Sequence, residues 1–372
     1  MPTFQNPNFL DLLGVSALAR VTDEEIWKHL VTPSVKGLLG AIVSSEPAQA
    51  LDTVRGFFSG YAVTNLNGHK LADEHGKLTS DRVRFPYVSS IYRTQNGAVV
   101  FMRDGLKFEV MCWYGDVDRG RGELIFKAGM RDRRFDGTRR ANDCALLDYT
   151  YDNPVYHKRL SAELSSVELS IYGYLPGSRI ADACGDEEFE RFVGNPFKFM
   201  DDPEKFMRFF NQAFRSKRGP GQHFAPIQDV SKLIIPGFEH LARKYGYDII
   251  ELAASHYHVA KWAQTNGYRY SVPGQAAMLQ QMHDGLERIR ANGTPLTRTQ
   301  QSWVCTLQSL RPVELIPAHL YMGHPQLRWP QDNVGDECLW LYKTISSKAQ
   351  NFVPPALQNA DSNLNSHSGK VA

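Results

Sequence analysis

His256 and His258 stand either side of Tyr257, just after the apolar run Ile249–Ala254. An imidazole with its ordinary pKa near 6.5 can take a proton from an amine at neutral pH, so either ring is a candidate general base. The same pair also reads as two exposed histidines at a helix start. Glu251, within the apolar run, and Glu168, in an alternating run over 167–174, are further candidate bases. A different chemistry is carried by Glu188-Phe189-Glu190. ADP-ribosyl transfer often needs Glu-x-Glu, with the second carboxylate on the ribose, and Arg159 and Ser165-Ser166 lie upstream. Here the motif falls in an acidic helical stretch rather than between strands. The chain has no P-loop, GxSxG, HExxH or GxGxxG pattern.

Composition narrows the classes. Hydrophobic residues make up 42% and charged residues 22% of 372 residues, as in an ordinary globular protein. The 42 basic and 40 acidic residues leave a net charge of +2, which gives no general pull toward nucleic acid or anionic lipid. The 5 cysteines are scattered, without CxxC or a Cys/His cluster, so neither a metal site nor a disulfide framework is expected. A reducing, cytoplasmic setting is the simpler reading. Residues 1–20 lack a basic segment followed by an apolar run, and no stretch approaches the roughly 18 apolar residues that span a bilayer.

The elements that must position these groups follow from periodicity. Thr22 before Asp23-Glu24-Glu25 marks a helix start, and Ala48, Leu51, Val54 and Phe58 predict a helix over 45–58. Residues 87–129 predict an antiparallel meander, because Asn96-Gly97 and Asp104-Gly105 supply hairpin turns between apolar runs. Residues 186–214 are rich in phenylalanine at helical spacing and read either as an aromatic lid over an acyl chain or as two amphipathic helices packed on the core. A helix is predicted over 276–291, stopped by Asn292-Gly293. Residues 300–345 read as short helices and irregular structure, and the Asn- and Ser-rich tail from 351 as disordered. The expected division is an N-terminal helical region over 1–80, an α/β core over 81–275, a C-terminal helical and irregular region over 276–350, and a tail over 351–372.

Within the core, residues 232–270 carry the most structure. Ile234, Phe238, Leu241, Ala242 and Tyr245 share one helical face, and Gly246 can end that helix. A short apolar strand follows, then Ser255 as a cap and a helix with Val259, Trp262 and Ala263 buried, closed by Asn266-Gly267 before an extended 268–271. Helix, strand, helix and strand joined by short links imply helices laid on a sheet.

The text "LARKYGYDIIELAASHYHVAKWAQTNGYRY" resembles the later half of the GCN5-related N-acetyltransferase family. The resemblance covers about forty residues. It implies an α/β (α+β) fold with a mixed, largely antiparallel central sheet flanked by helices, with N- and C-terminal helical additions. It implies acetyl-CoA or another acyl-CoA as cofactor and a small-molecule or protein amine as acceptor, with no nucleic acid and no membrane. The pantetheine arm would lie beside Leu252 and Ala253 where Ile249–Ala254 splays from its neighbour. The family holds the pyrophosphate on a Gly-rich loop at a helix start. The nearest such stretch here is 216–221, with Arg218, Gly219 and Gly221, about six residues upstream of the usual place. His256 and His258 would lie near the thioester. Two positions depart: the family's frequent tyrosine acid falls on Ala263, and its asparagine on His258. These departures support a competing reading, a non-catalytic structural or binding protein on an acyltransferase-like scaffold.

Overall fold

A computed structural model describes residues 17–34, 50–57, 86–94, 97–103, 107–116, 121–132, 164–173, 186–215, 218–221, 230–271, 274–330 and 339–353. Its strands form one sheet in the order β1-β2-β3-β4-β5-β6-β7-β9-β8. These are β1 (Ala50–Phe57), β2 (Pro86–Thr94), β3 (Gly97–Arg103), β4 (Lys107–Asp116), β5 (Arg121–Asp132), β6 (Ser166–Gly173), β7 (Ile249–Ala254), β8 (Arg269–Tyr270) and β9 (Leu339–Thr344). Neighbours pair antiparallel except β6 and β7, which run parallel. The class is α+β, with a mixed sheet.

The meander over β2 to β5 forms where the alternating runs place it. The segment 45–58 does not follow its helical period: 50–57 is a strand paired with β2. Pairing to a partner decided the state there, and a local period does not register a partner. Residues 300–345 are also more regular than expected. They hold a ten-residue helix, Arg298–Leu307, and strand β9 within the sheet. The tail beyond 353 lies outside the described residues.

Among the described residues, seven helices flank the sheet: α1 (23–34), α2 (Glu187–Gly194), α3 (Pro203–Arg215), α4 (Val230–Lys244), α5 (Tyr257–Thr265), α6 (Gln275–Ala291) and α7 (Arg298–Leu307). Helix α1 begins in a capping box, in which Thr22 and Glu25 each accept from the other's backbone N–H. Burial raises the Glu25 carboxyl's pKa, but the bonds it accepts from Lys244, Thr22 and Tyr245 outweigh that and hold it at about 2. Mid-helix, Trp27–Val31 winds as a π-turn. Its His29 carbonyl lies so close to α4 that a Cβ at Gly237 would sit 2.0 Å from the oxygen.

One sheet face carries Phe101, Phe108, Val110, Ala128, Met130, Val167 and Ile250 into a core shared with Ile26, Trp27 and Leu30 of α1 and Phe238 of α4. Trp27 meets Phe101 edge-on at 5.9 Å. The phenylalanines of 186–214 pack among themselves and on α7, with Phe192 stacked on Trp303 at 5.4 Å. They form core and show no lid. Among the described residues, no helix is long and apolar enough to cross a membrane.

Candidate functional site

The parallel junction of β6 and β7 is tied at one end. Asp248 accepts from the Ser165 N–H at 3.0 Å and from Ser346 Oγ at 2.6 Å. Pairing then covers Ser166, Val167 and Glu168 against Ile249, Ile250 and Glu251. Beyond that pair both strands run on, β6 to Gly173 and β7 to Ala254. Glu168 and Glu251 are therefore register partners at the point where the strands part, on one face of the sheet. Neither carboxylate stands alone. Glu168 lies 4.0 Å from Arg131, and the buried Glu251 accepts from Ser166 Oγ at 3.2 Å. Ile250 and Leu252 are buried, and Ala253 is half-buried.

Just past the end of β7, His256 occupies the N-cap position of α5 with extended φ and ψ of −146° and 159°. Ser255, expected to cap, is exposed, and no side chain caps this helix. The His256 ring is 4% exposed. It lies parallel to Phe197 at 5.7 Å and to His258 at 6.0 Å. Its Nδ1 has no hydrogen-bond partner among the described residues. The opposite edge of the ring abuts Gly221, where a Cβ would come within 2.5 Å of Cδ2 and 2.6 Å of Nε2. Gly221 also has φ +74°, so both its backbone and its neighbour exclude a side chain. The two histidines and the glycine turn, far apart in sequence, thus meet. Burial drives the His256 pKa well below 6.5, aided by His258. Burial and Arg298 push His258, whose surface is partly exposed, down to about 3. Both rings are neutral at pH 7 and can accept a proton only weakly.

The structure pairs Arg218 with a carboxylate. Its guanidinium makes two hydrogen bonds to Glu190, at 2.8 and 2.6 Å, with Glu190 buried and Arg218 half-buried. The side chain is thus committed to a carboxylate and does not suit a phosphate. Gly219 is buried, and the Gly221 N–H donates to the Val193 carbonyl at 2.7 Å. The same bridge engages the Glu-x-Glu motif. Glu190 holds Arg218 and Glu188 holds Lys205 at 2.5 Å, both from helix α2, which leaves a ribose no ready carboxylate. Ala263 is fully buried. The usual place for a phosphate loop, just before α4, falls on 222–229, outside the described residues.

Two features have no motif to announce them. The Tyr257 hydroxyl lies 3.4 Å from His283 Nδ1, and Tyr270 buries a hydroxyl with no partner among the described residues. Spacing gave no signal for this meeting of α5, β8 and α6. A groove of about 610 Å³ runs along the start of α6, lined by Gln275, Met278, Gln281, His324, Leu327 and Arg328. None of the sequence-derived candidates lines it. Among the described residues, no group of three or more His, Cys, Asp or Glu side chains could hold a metal. Comparison with known proteins finds no matching family model, no matching curated protein and no matching solved structure.

Proposed function

We propose that this chain is an acyl-CoA-dependent N-acyltransferase that moves an acetyl or other acyl group to a small-molecule or protein amine. One observation carries the reading: β6 and β7 pair over three residues and then continue apart. Two parted parallel strands offer facing backbone edges to which an extended, amide-bearing ligand can add as a strand would. That suits a pantetheine arm. The fit is divided, because Arg218 is occupied by Glu190 and recognition of the phosphates falls to backbone groups around Gly219.

A bound acyl-CoA supplies an already activated thioester. The chain's part is to hold an amine near it, and positioning accounts for most of the acceleration. Glu168 and Glu251 flank the parting point, and neutral His256 stands just past the end of β7, its Nδ1 without a partner among the described residues. Glu168, Glu251, His256 and His258 are the candidates to accept the amine's proton.

A specific observation favours a second reading, a non-catalytic binding protein on a related scaffold. Ile250 and Leu252 are buried, and both imidazoles are weak bases. Calorimetric titration with acetyl-CoA and with coenzyme A separates the two. Binding, abolished by Gly219→Glu, supports the transferase. Absence of heat at millimolar ligand overturns it and leaves the binding protein. Binding that survives Gly219→Glu moves the phosphate site away from 218–221.

A further inference from the structure

Four stretches of chain meet at the His256–His258 pair. Phe197, from the 3₁₀ helix Pro196–Phe199, lies flat over the His256 ring. The turn at Gly221 presses on that ring's edge. From α7, Ser302 Oγ lies 2.9 Å from His258 Nδ1, and Arg298 donates to the His258 carbonyl at 3.2 Å. The fourth stretch is the start of α5 itself.

These contacts differ in kind. The turn is tied to α2 by polar bonds, Gly221 N–H to Val193 and Arg218 to Glu190. Trp303 of α7 adds a bond from Nε1 to the Arg218 carbonyl at 2.9 Å. Against His256, by contrast, the turn makes close van der Waals contact, and the ring's Nδ1 is buried without a partner among the described residues. Arg298 bears on His258 as a positive charge, and a proton on His258 would oppose one on His256. Arg218 is neutralised by Glu190, and Lys198, beside Phe197, is exposed. A proton on either ring would place a cation in an apolar, positively biased site that gives it no counter-ion among the described residues.

We propose that the His256–His258 pair is an acid-sensitive latch, whose protonation releases the 218–221 turn from the start of α5 and uncovers the end of the parted strands. The latch stands on this packing alone and holds whether or not the chain transfers acyl groups. Its sign follows from linkage. The closed form keeps both rings neutral, and the open form exposes two ordinary imidazoles with pKa near 6.5. Opening therefore takes up as many as two protons. Below about pH 6 the open-to-closed ratio rises up to about a hundredfold per pH unit, and above pH 7 the latch is shut.

Hydrogen exchange on the full chain tests this, with rates corrected for the intrinsic effect of pH. Between pH 7.5 and 5.0, the Val259 and Ala260 amides, both bonded to the His256 carbonyl, are expected to lose protection reversibly while those of β4 and β5 keep theirs. His258→Asn, which can still bond Ser302, is expected to cut the slope to about tenfold per pH unit. Gly221→Ala forces ring and turn apart and is expected to expose 259–260 already at pH 7.5, with no further acid step. Constant protection at 259–260 across the range overturns the latch. So does loss of protection in β4 and β5 in parallel, which marks global acid unfolding, and so does an undiminished slope in His258→Asn.

Discussion

Gly237 and Gly285 both lie inside helices, and replacing either with alanine gains the same helix propensity, about 1 kcal/mol. Their surroundings differ. A Cβ at Gly237 would meet the His29 backbone oxygen at 2.0 Å, which moves only if α1 moves. At Gly285 it would meet the Met322 side chain at 2.6 Å, which can turn aside. Gly237→Ala is expected to destabilise by about 3 kcal/mol and Gly285→Ala by less than about 1 kcal/mol. Denaturant melts of the two variants check the difference, and equal losses would show that the α1–α4 crossing yields. At this scale the sequence was partly legible. Gly221 drew notice as part of a basic, glycine-containing turn, but its need for glycine comes from His256, a neighbour that only the fold supplies. His256 and His258 stood out by residue type, whereas their burial, and with it their weakness as bases, depends on Phe197, Ser302 and Gly221.

At the level of elements, the Arg218–Glu190 bridge fastens the glycine turn to α2 inside an aromatic shell that includes Phe189 and Trp303. Removing one partner strands a buried charge, so Arg218→Ala is expected to cost about 3–5 kcal/mol. The double change Arg218→Met with Glu190→Leu removes both charges and is expected to stay within about 2 kcal/mol of the parent. Thermal melts decide this, and an equally unstable double variant would show that the guanidinium does more than pair with Glu190. The elements best predicted from sequence, β2 to β6 and helices α4 to α6, are those with a clean local period and clear punctuation. The failures share one cause. In 50–57 an apparent helical face competes with pairing to β2, and 339–344 carries four aromatic or leucine positions that say nothing about which strands they will join.

At the scale of the molecule, β9 sits between β7 and β8, pairing with both. Without it β7 loses a full ladder and its two-residue neighbour β8 loses its only strand partner among the described residues. A chain ending before Leu339 is expected to lack a cooperative melting transition and near-ultraviolet circular dichroism. A sharp transition in that truncation would mean that the α4–β7–α5 region folds without its last strand. The acyl-transfer reading rests on the same region, since Ile249–Ala254 is held by β9 on one side and by only three pairs of β6 on the other.

The place of β9 also bears on synthesis. As the chain leaves the ribosome, the α4–β7–α5–β8 segment emerges first, and α6 and α7 must follow before Leu339–Thr344 appears. For that interval β7 presents an apolar, unpaired edge, the kind of surface that recruits other nascent chains. Elongation rate over 275–338 and chaperone occupancy at that stage should therefore set the yield of native protein more than the stability of the finished fold does.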